Sequence, residues 1–125
     1  MKYLVLFALI LAPMTAHAVK FPTVTISADG VAAIATLPQA GGMWEGTVIV
    51  SGTFGSGTVT LGHSTTAACS TVNSIKDITG TAYSTTSADT VNVRLGIDKN
   101  NPTYLCATVT GSTSPTIALN VYDRQ

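Results

Sequence analysis

Two cysteines, Cys69 and Cys106, and a histidine followed by a serine, His63-Ser64, are the side chains here with the most chemistry to offer. A serine nucleophile needs a base within hydrogen-bond reach and an acid that orients the base. His63 and Ser64 stand side by side in GHSTT after an alternating run, and neighbouring strand residues point to opposite faces. No GxSxG elbow occurs, so His63 reads as a surface residue. Asp29, Glu45, Asp77, Asp89, Asp98 and Asp123 include enough carboxyls for a glycosidase pair, whose separation a sequence does not measure. Most of them stand beside turns and read as solvated turn residues. The cysteines form no CxxC pair, and two sulfurs with one histidine after residue 18 make a poor zinc set. They read as a single disulfide. Closing their loop of 37 positions removes about 4 kcal/mol of unfolded-chain entropy. No catalytic residue, metal or cofactor is expected.

The glycine run GTFGSG at 52–57 has neither the GK[ST] of a phosphate loop nor a helix after it. It reads as the turn of a hairpin, with Phe54 and Gly55 at the tip. Trp44, Phe54 and Tyr104 are the candidate contact residues. An aromatic on an exposed sheet face stacks on sugars or fills a protein interface, whereas a buried one is core. Trp44, between a flexible Gly41-Gly42 loop and a strong strand, carries both readings; Tyr83 and Tyr122 read as structural.

The elements that must position these residues are strands. Val24 and Ile26 share one face at 21–27, and VAAIATL at 31–37 forms a second strand, weakened by its three alanines. The arms of the expected hairpin carry Val48 and Val50, then Val59 and Leu61, on their inner faces. The segment 64–74 loses all alternation and reads as a surface loop tied by Cys69. Short strands are expected at 75–78 and 81–85. TVNVRLGI at 90–97 puts Val91, Val93, Leu95 and Ile97 on the core side, and TIALNVYD at 116–123 does the same with Ile117, Leu119 and Val121. In YLCATVT at 104–110, Cys106 takes the parity opposite to Leu105, Ala107 and Val109. Either that strand lies between a core and a covering loop, or a bulge shifts its register.

No amphipathic helix appears after residue 18. Seven to nine short strands with Gly, Pro and Ser/Thr turns predict an all-β antiparallel β-sandwich, Ig-like or jelly-roll-like, with one disulfide. Few charges guard its edges, with Glu45, Lys76, Asp89 and Arg94 nearest to them. Such edges invite a partner strand or self-assembly.

Lys2, the apolar run 3–13 and Ala16-His17-Ala18 have the order of an export signal cleaved after Ala18. The apolar run is too short for a membrane span, which takes roughly 20 residues. This predicts a cleaved segment at 1–18 and a single domain at 19–125, exported to the periplasm, the extracellular space or a virion, without a transmembrane anchor. Export also suits a disulfide. From Val19 on, five Lys or Arg face six Asp or Glu, a formal charge of −1 without clusters. That excludes a nucleic-acid face, which needs concentrated Lys and Arg. Twenty Thr and ten Ser in the same stretch clothe the sheets in hydroxyls.

GTFGSGTVTL at 52–61, with TGSTSPTIALNVY at 110–122 far downstream, resembles small β-sandwich virion proteins of bacteriophages, in which a similar glycine hairpin comes early and a similar strand closes the domain. The resemblance spans roughly residues 45–122. It implies a decoration, tail or fibre-associated role with no catalytic residues. The export signal and the cysteine pair depart from virion proteins assembled in the cytoplasm and fit phages that assemble at a membrane, or a host-encoded secreted protein. The expected function is a non-catalytic structural or surface-interaction protein: a virion or filament component, or a module that contacts a host surface. A protein partner or self-assembly is expected, with a surface glycan as a further partner. The alternative is a secreted carbohydrate-binding module or adhesin subunit.

Overall fold

The computed structural model describes residues 19–77 and 79–124. The expected export segment at 1–18 and Ile78 of the expected strand 75–78 lie outside the described residues. Among the described residues nine strands follow one another: β1 (Val24–Ile26), β2 (Gly30–Leu37), β3 (Met43–Thr53), β4 (Thr58–Ser64), β5 (Asn73–Ser74), β6 (Ser84–Thr85), β7 (Asp89–Gly96), β8 (Thr103–Thr110) and β9 (Thr116–Asp123). They form a four-stranded sheet in the order β1-β9-β3-β7 and a five-stranded sheet in the order β2-β8-β4-β5, with β6 also on β4. Every pairing is antiparallel.

The pairings are nested. β1 pairs with β9, β2 with β8, β3 with β7, and β4 with β5 and β6; the roll then closes through β3 on β9 and β4 on β8. Each long strand is therefore followed by one in the other sheet, the double-Greek-key order of a jelly roll. Of the two expected sandwich types, this topology is the second.

The expected hairpin around 52–57 is corrected by this order: β3 belongs to the four-stranded sheet and β4 to the five-stranded one. The turn itself is present, with the Gly57 N–H donating to the Phe54 carbonyl at 2.9 Å and positive φ at Gly55 and Ser56. Its arms separate because both edges of β3 are already taken, by β7 and β9. Gly52 makes the departure possible. Its φ is 109°, and a Cβ there would strike the carbonyl oxygen of Thr116. Phe54, 8 % exposed, closes the core beneath the corner.

Alternation decides the rest. Val48, Val50, Ile117, Leu119 and Val121 from one sheet meet Val59, Leu61, Leu105, Ala107 and Val109 from the other, all fully or almost fully buried. Of the four expected core positions near β7, Val93 and Ile97 are buried, while Val91 and Leu95 are half-buried because β7 is an edge strand. In β2 the register against β8 skips at Ile34, a bulge that turns both Ile34 and Ala35 inward.

Among the described residues no strand forms at 75–78, where Lys76 makes only an isolated bridge to Ala82; β5 falls instead at Asn73–Ser74, inside the expected loop 64–74, and the expected strand 81–85 shrinks to β6. Asp77 accounts for the loss. Its carboxylate accepts the Thr79 and Thr81 N–H groups at 2.8 and 3.0 Å, and so turns the chain where a ladder would run.

Candidate functional site

Cys69 and Cys106 are bonded, with their Cα atoms 6.2 Å apart. Cys106 is outside the inter-sheet core: its β8 neighbours Leu105 and Ala107 point inward, and its own side chain meets the loop 65–72 from the other side. The covering-loop reading of the parity is therefore the one realised. Opposite Cys106 on β4 stands Gly62, where a Cβ would strike Val72 and the Asn73 carbonyl. A loop without strand pattern is thus pressed against the sheet by one covalent bond and one missing side chain.

Trp44 is completely buried, its indole lying across Gly46 and its edge meeting the Phe21 ring at 6.4 Å and 75°. Its Nε1 finds no hydrogen-bond partner among the described residues. Phe54 is also buried, so neither ring faces solvent. Tyr104 is half-exposed on the outer face of the five-stranded sheet, opposite Ser64 and Thr36. Tyr122 lies on the outer face of the other sheet, opposite Thr47, with Lys20 Nζ 5.9 Å from its ring. The half-exposed tyrosines 104 and 122 thus look in opposite directions.

His63 and Ser64 do not form a catalytic pair. Ser64 Oγ is 3.2 Å from Thr66 Oγ1 and accepts the Thr66 N–H, while its neighbour His63 takes the opposite parity on β4. The carboxylates of Asp29, Glu45, Asp77, Asp89 and Asp98 bond within the scaffold. Asp29 accepts the Gly111 and Ser112 N–H groups, each at 2.9 Å, and the Ser112 hydroxyl. Those bonds, the Ser112 hydroxyl first, hold the Asp29 carboxyl below its ordinary value. Asp77 is lowered likewise by the Thr79 hydroxyl and backbone donors, and Asp98 by the Asn100 N–H and the Asn101 amide. Glu45 pairs with Arg94 at 3.3 Å. Asp89 accepts the Tyr83 hydroxyl at 2.8 Å; burial, then that carboxylate, raises the phenol well above its ordinary value and keeps it a donor. Among the described residues no three His, Cys, Asp or Glu side chains converge as a metal set, and no helix is long and apolar enough to cross a membrane.

Two surface features remain. A cleft of about 260 Å³ is lined by Phe21, Pro22 and residues 33–36, none of which carries a titratable side chain. Beside it runs the outer edge of β2, which the charge pattern of the sequence did not single out. The two edges of the five-stranded sheet are β2 and the two-residue strands β5 and β6; those of the other sheet are the three-residue β1 and the eight-residue β7. β7 bears Asp89 and Arg94, whereas GVAAIATL in β2 bears no charge. The signal for this edge was present in composition, but its position at an edge follows only from topology. No protein-family model, curated protein or solved structure matches the chain.

Proposed function

We propose that the protein is an exported, non-catalytic assembly subunit, a structural part of a virion or extracellular filament, with contact to a host surface as an associated role. One observation carries this reading: the polar chemistry of the chain is spent on immobilising a closed scaffold. Three turns interlock at one end through Asp29, Gly52 and Thr113, and a disulfide fastens the loop 65–72. The described lining of the cleft beside β2 has no acid or base that could activate its one hydroxyl, Thr36. The jelly-roll order adds an analogy of fold alone, since such rolls serve in capsid and in sugar-binding domains. The likeness to small phage virion proteins points the same way.

The carbohydrate-binding alternative needs Trp44, or two tyrosines on one exposed face. Trp44 is buried and Tyr104 and Tyr122 lie on opposite sheets, so the assembly reading is preferred. Mass spectrometry of extracellular particles and matching supernatant from the producing cells tests it. Enrichment in particles, with Val19 as the first residue, is expected; protein confined to the supernatant would transfer the reading to a secreted binding module.

A further inference from the structure

An antiparallel sheet ends in a row of backbone donors and acceptors with nothing beside them, and proteins that must stay apart guard such rows with charge, brevity or a cover. In this molecule three of those protections are distributed unevenly. β1, β5 and β6 are only two or three residues long, and β7 carries Asp89 and Arg94. β2 is eight residues long and uncharged, and among the described residues the one protection of its edge is the bulge at Ile34. The bulge leaves 30–33 as a straight pairing segment ahead of it. Among the described residues no loop hydrogen bond reaches the backbone of β2. The nearest cover, Phe21 and Pro22, stands off across the cleft, because the Phe21 N–H is given to Val121 on β9. Val31 in that segment is 43 % exposed, one of three large apolar residues so exposed among those described.

We propose that β2 is a strand-addition edge, and that its occupant is β2 of a second copy of this chain, paired antiparallel about a two-fold axis. Charge selects the occupant. An acidic or basic peptide finds no counter-ion along GVAAIATL, while a second β2 brings only small and apolar side chains against it. The formal charge of −1 from Val19 on leaves two copies with little long-range repulsion to overcome. Two-fold pairing consumes both free edges and joins two five-stranded sheets into one continuous sheet across the axis. Pairing β2 to β7 instead would set an uncharged edge against Asp89 and Arg94 and leave an open chain of copies. An interface of one strand pair is small, so the dimer forms in proportion to concentration.

This inference deepens the assembly reading and rests on it, and its test is independent of where the protein is found. Light scattering of the purified, oxidised exported protein from micromolar to millimolar concentration should show a monomer passing to a dimer. Val31→Lys, which puts a charge on an already exposed position, should weaken dimerisation at least about tenfold, because each copy presents the charge to the other. Val31→Thr should retain the dimer, as should Thr90→Lys on β7. Amide exchange at 30–33 should slow as the dimer forms. A monomer at every concentration, a dimer indifferent to Val31→Lys, or a dimer broken by Thr90→Lys with unchanged exchange at 30–33 overturns the assignment. Dimerisation of a protein absent from particles would remove the virion or filament role and leave the edge assignment standing; enrichment in particles with no dimer would do the reverse.

Discussion

The end of the roll where β1–β2, β3–β4 and β8–β9 turn and the outer face where the loop 65–72 crosses β4 and β8 are both ordered segments without strand pattern, held by different means. At the turn end, contacts are made by fit. Asp29 caps the Gly111-Ser112 backbone, the Thr113 N–H donates to the Gly55 carbonyl at 2.8 Å, and Gly52 passes against Thr116. On the outer face a single covalent bond, Cys69 to Cys106, holds the loop over Gly62. Fit demands many correct residues and resists changes in redox state; a covalent tie demands two and needs an oxidising place.

The largest test of this contrast is Gly52→Ala. A φ of 109° and a backbone oxygen in the path of the new Cβ combine two costs, strain and overpacking, so more than about 4 kcal/mol of stability should be lost. Urea unfolding reads this, and a loss under about 1 kcal/mol would show that the turn end yields easily. Replacing both cysteines by alanine should cost about 3 kcal/mol, the entropy of the loop less the strain relieved at Cys69, whose φ is 51°. Exchange should quicken in 65–72 while the amides of β3 and β9 stay protected; equal loss of protection everywhere would erase the distinction between the regions.

Gly62→Ala should push the loop away from β4 at a cost of about 2 kcal/mol, and should cost less once the cysteines are gone, since a loop no longer tied can move aside. Additivity of the two changes would contradict the shared contact. The smallest effect belongs to the exposed Asp29→Asn change, which keeps the outline of the cap but removes its charge and one of its two acceptor oxygens. Because the folded Asp29 carboxyl lies below its ordinary value of 3.8, its contribution is fully present above that value and disappears as pH falls through the folded one. Stability of the parent should therefore hold from neutrality to about pH 5 and decline below about pH 4. In Asp29→Asn the decline should be shallower, with Asp77 and Asp98 supplying what remains; an unchanged acid limb would show that the cap charge adds nothing.

Much of the fold was legible in single strands. The parities of Val48 and Val50, of Ile117, Leu119 and Val121, and of Cys106 against its neighbours all match the faces they occupy. Period-two alternation requires only that one face be buried, and a strand meets that condition in any topology. For the same reason GTFGSG was misread: arms with inward Val48, Val50, Val59 and Leu61 suit a hairpin in one sheet and a corner between two equally well. The loss of the expected strand at 75–78 and the shortening of 81–85 to β6 were hidden in Asp77, whose capture of the Thr79 and Thr81 amides depends on the local path of the chain. The candidate contacts were the least legible part. An aromatic beside a strand looks alike whether covered or bare, and it is the packing of Trp44 into the inter-sheet core, with Phe21 brought to its edge from a distant segment, that covers it.

The sequence by itself determined that the chain is an all-β sandwich clothed in hydroxyls, with one cysteine pair and inner faces readable residue by residue, because hydrophobic alternation and turn chemistry act over a few residues. Tertiary structure decided the nesting of the strands, the corner at Gly52, the covering of Cys106 and the bare edge of β2. Those depend on which strand lies beside which, and that choice is made by the closure of the whole core around Val48, Leu105 and Leu119 rather than by any short stretch of chain.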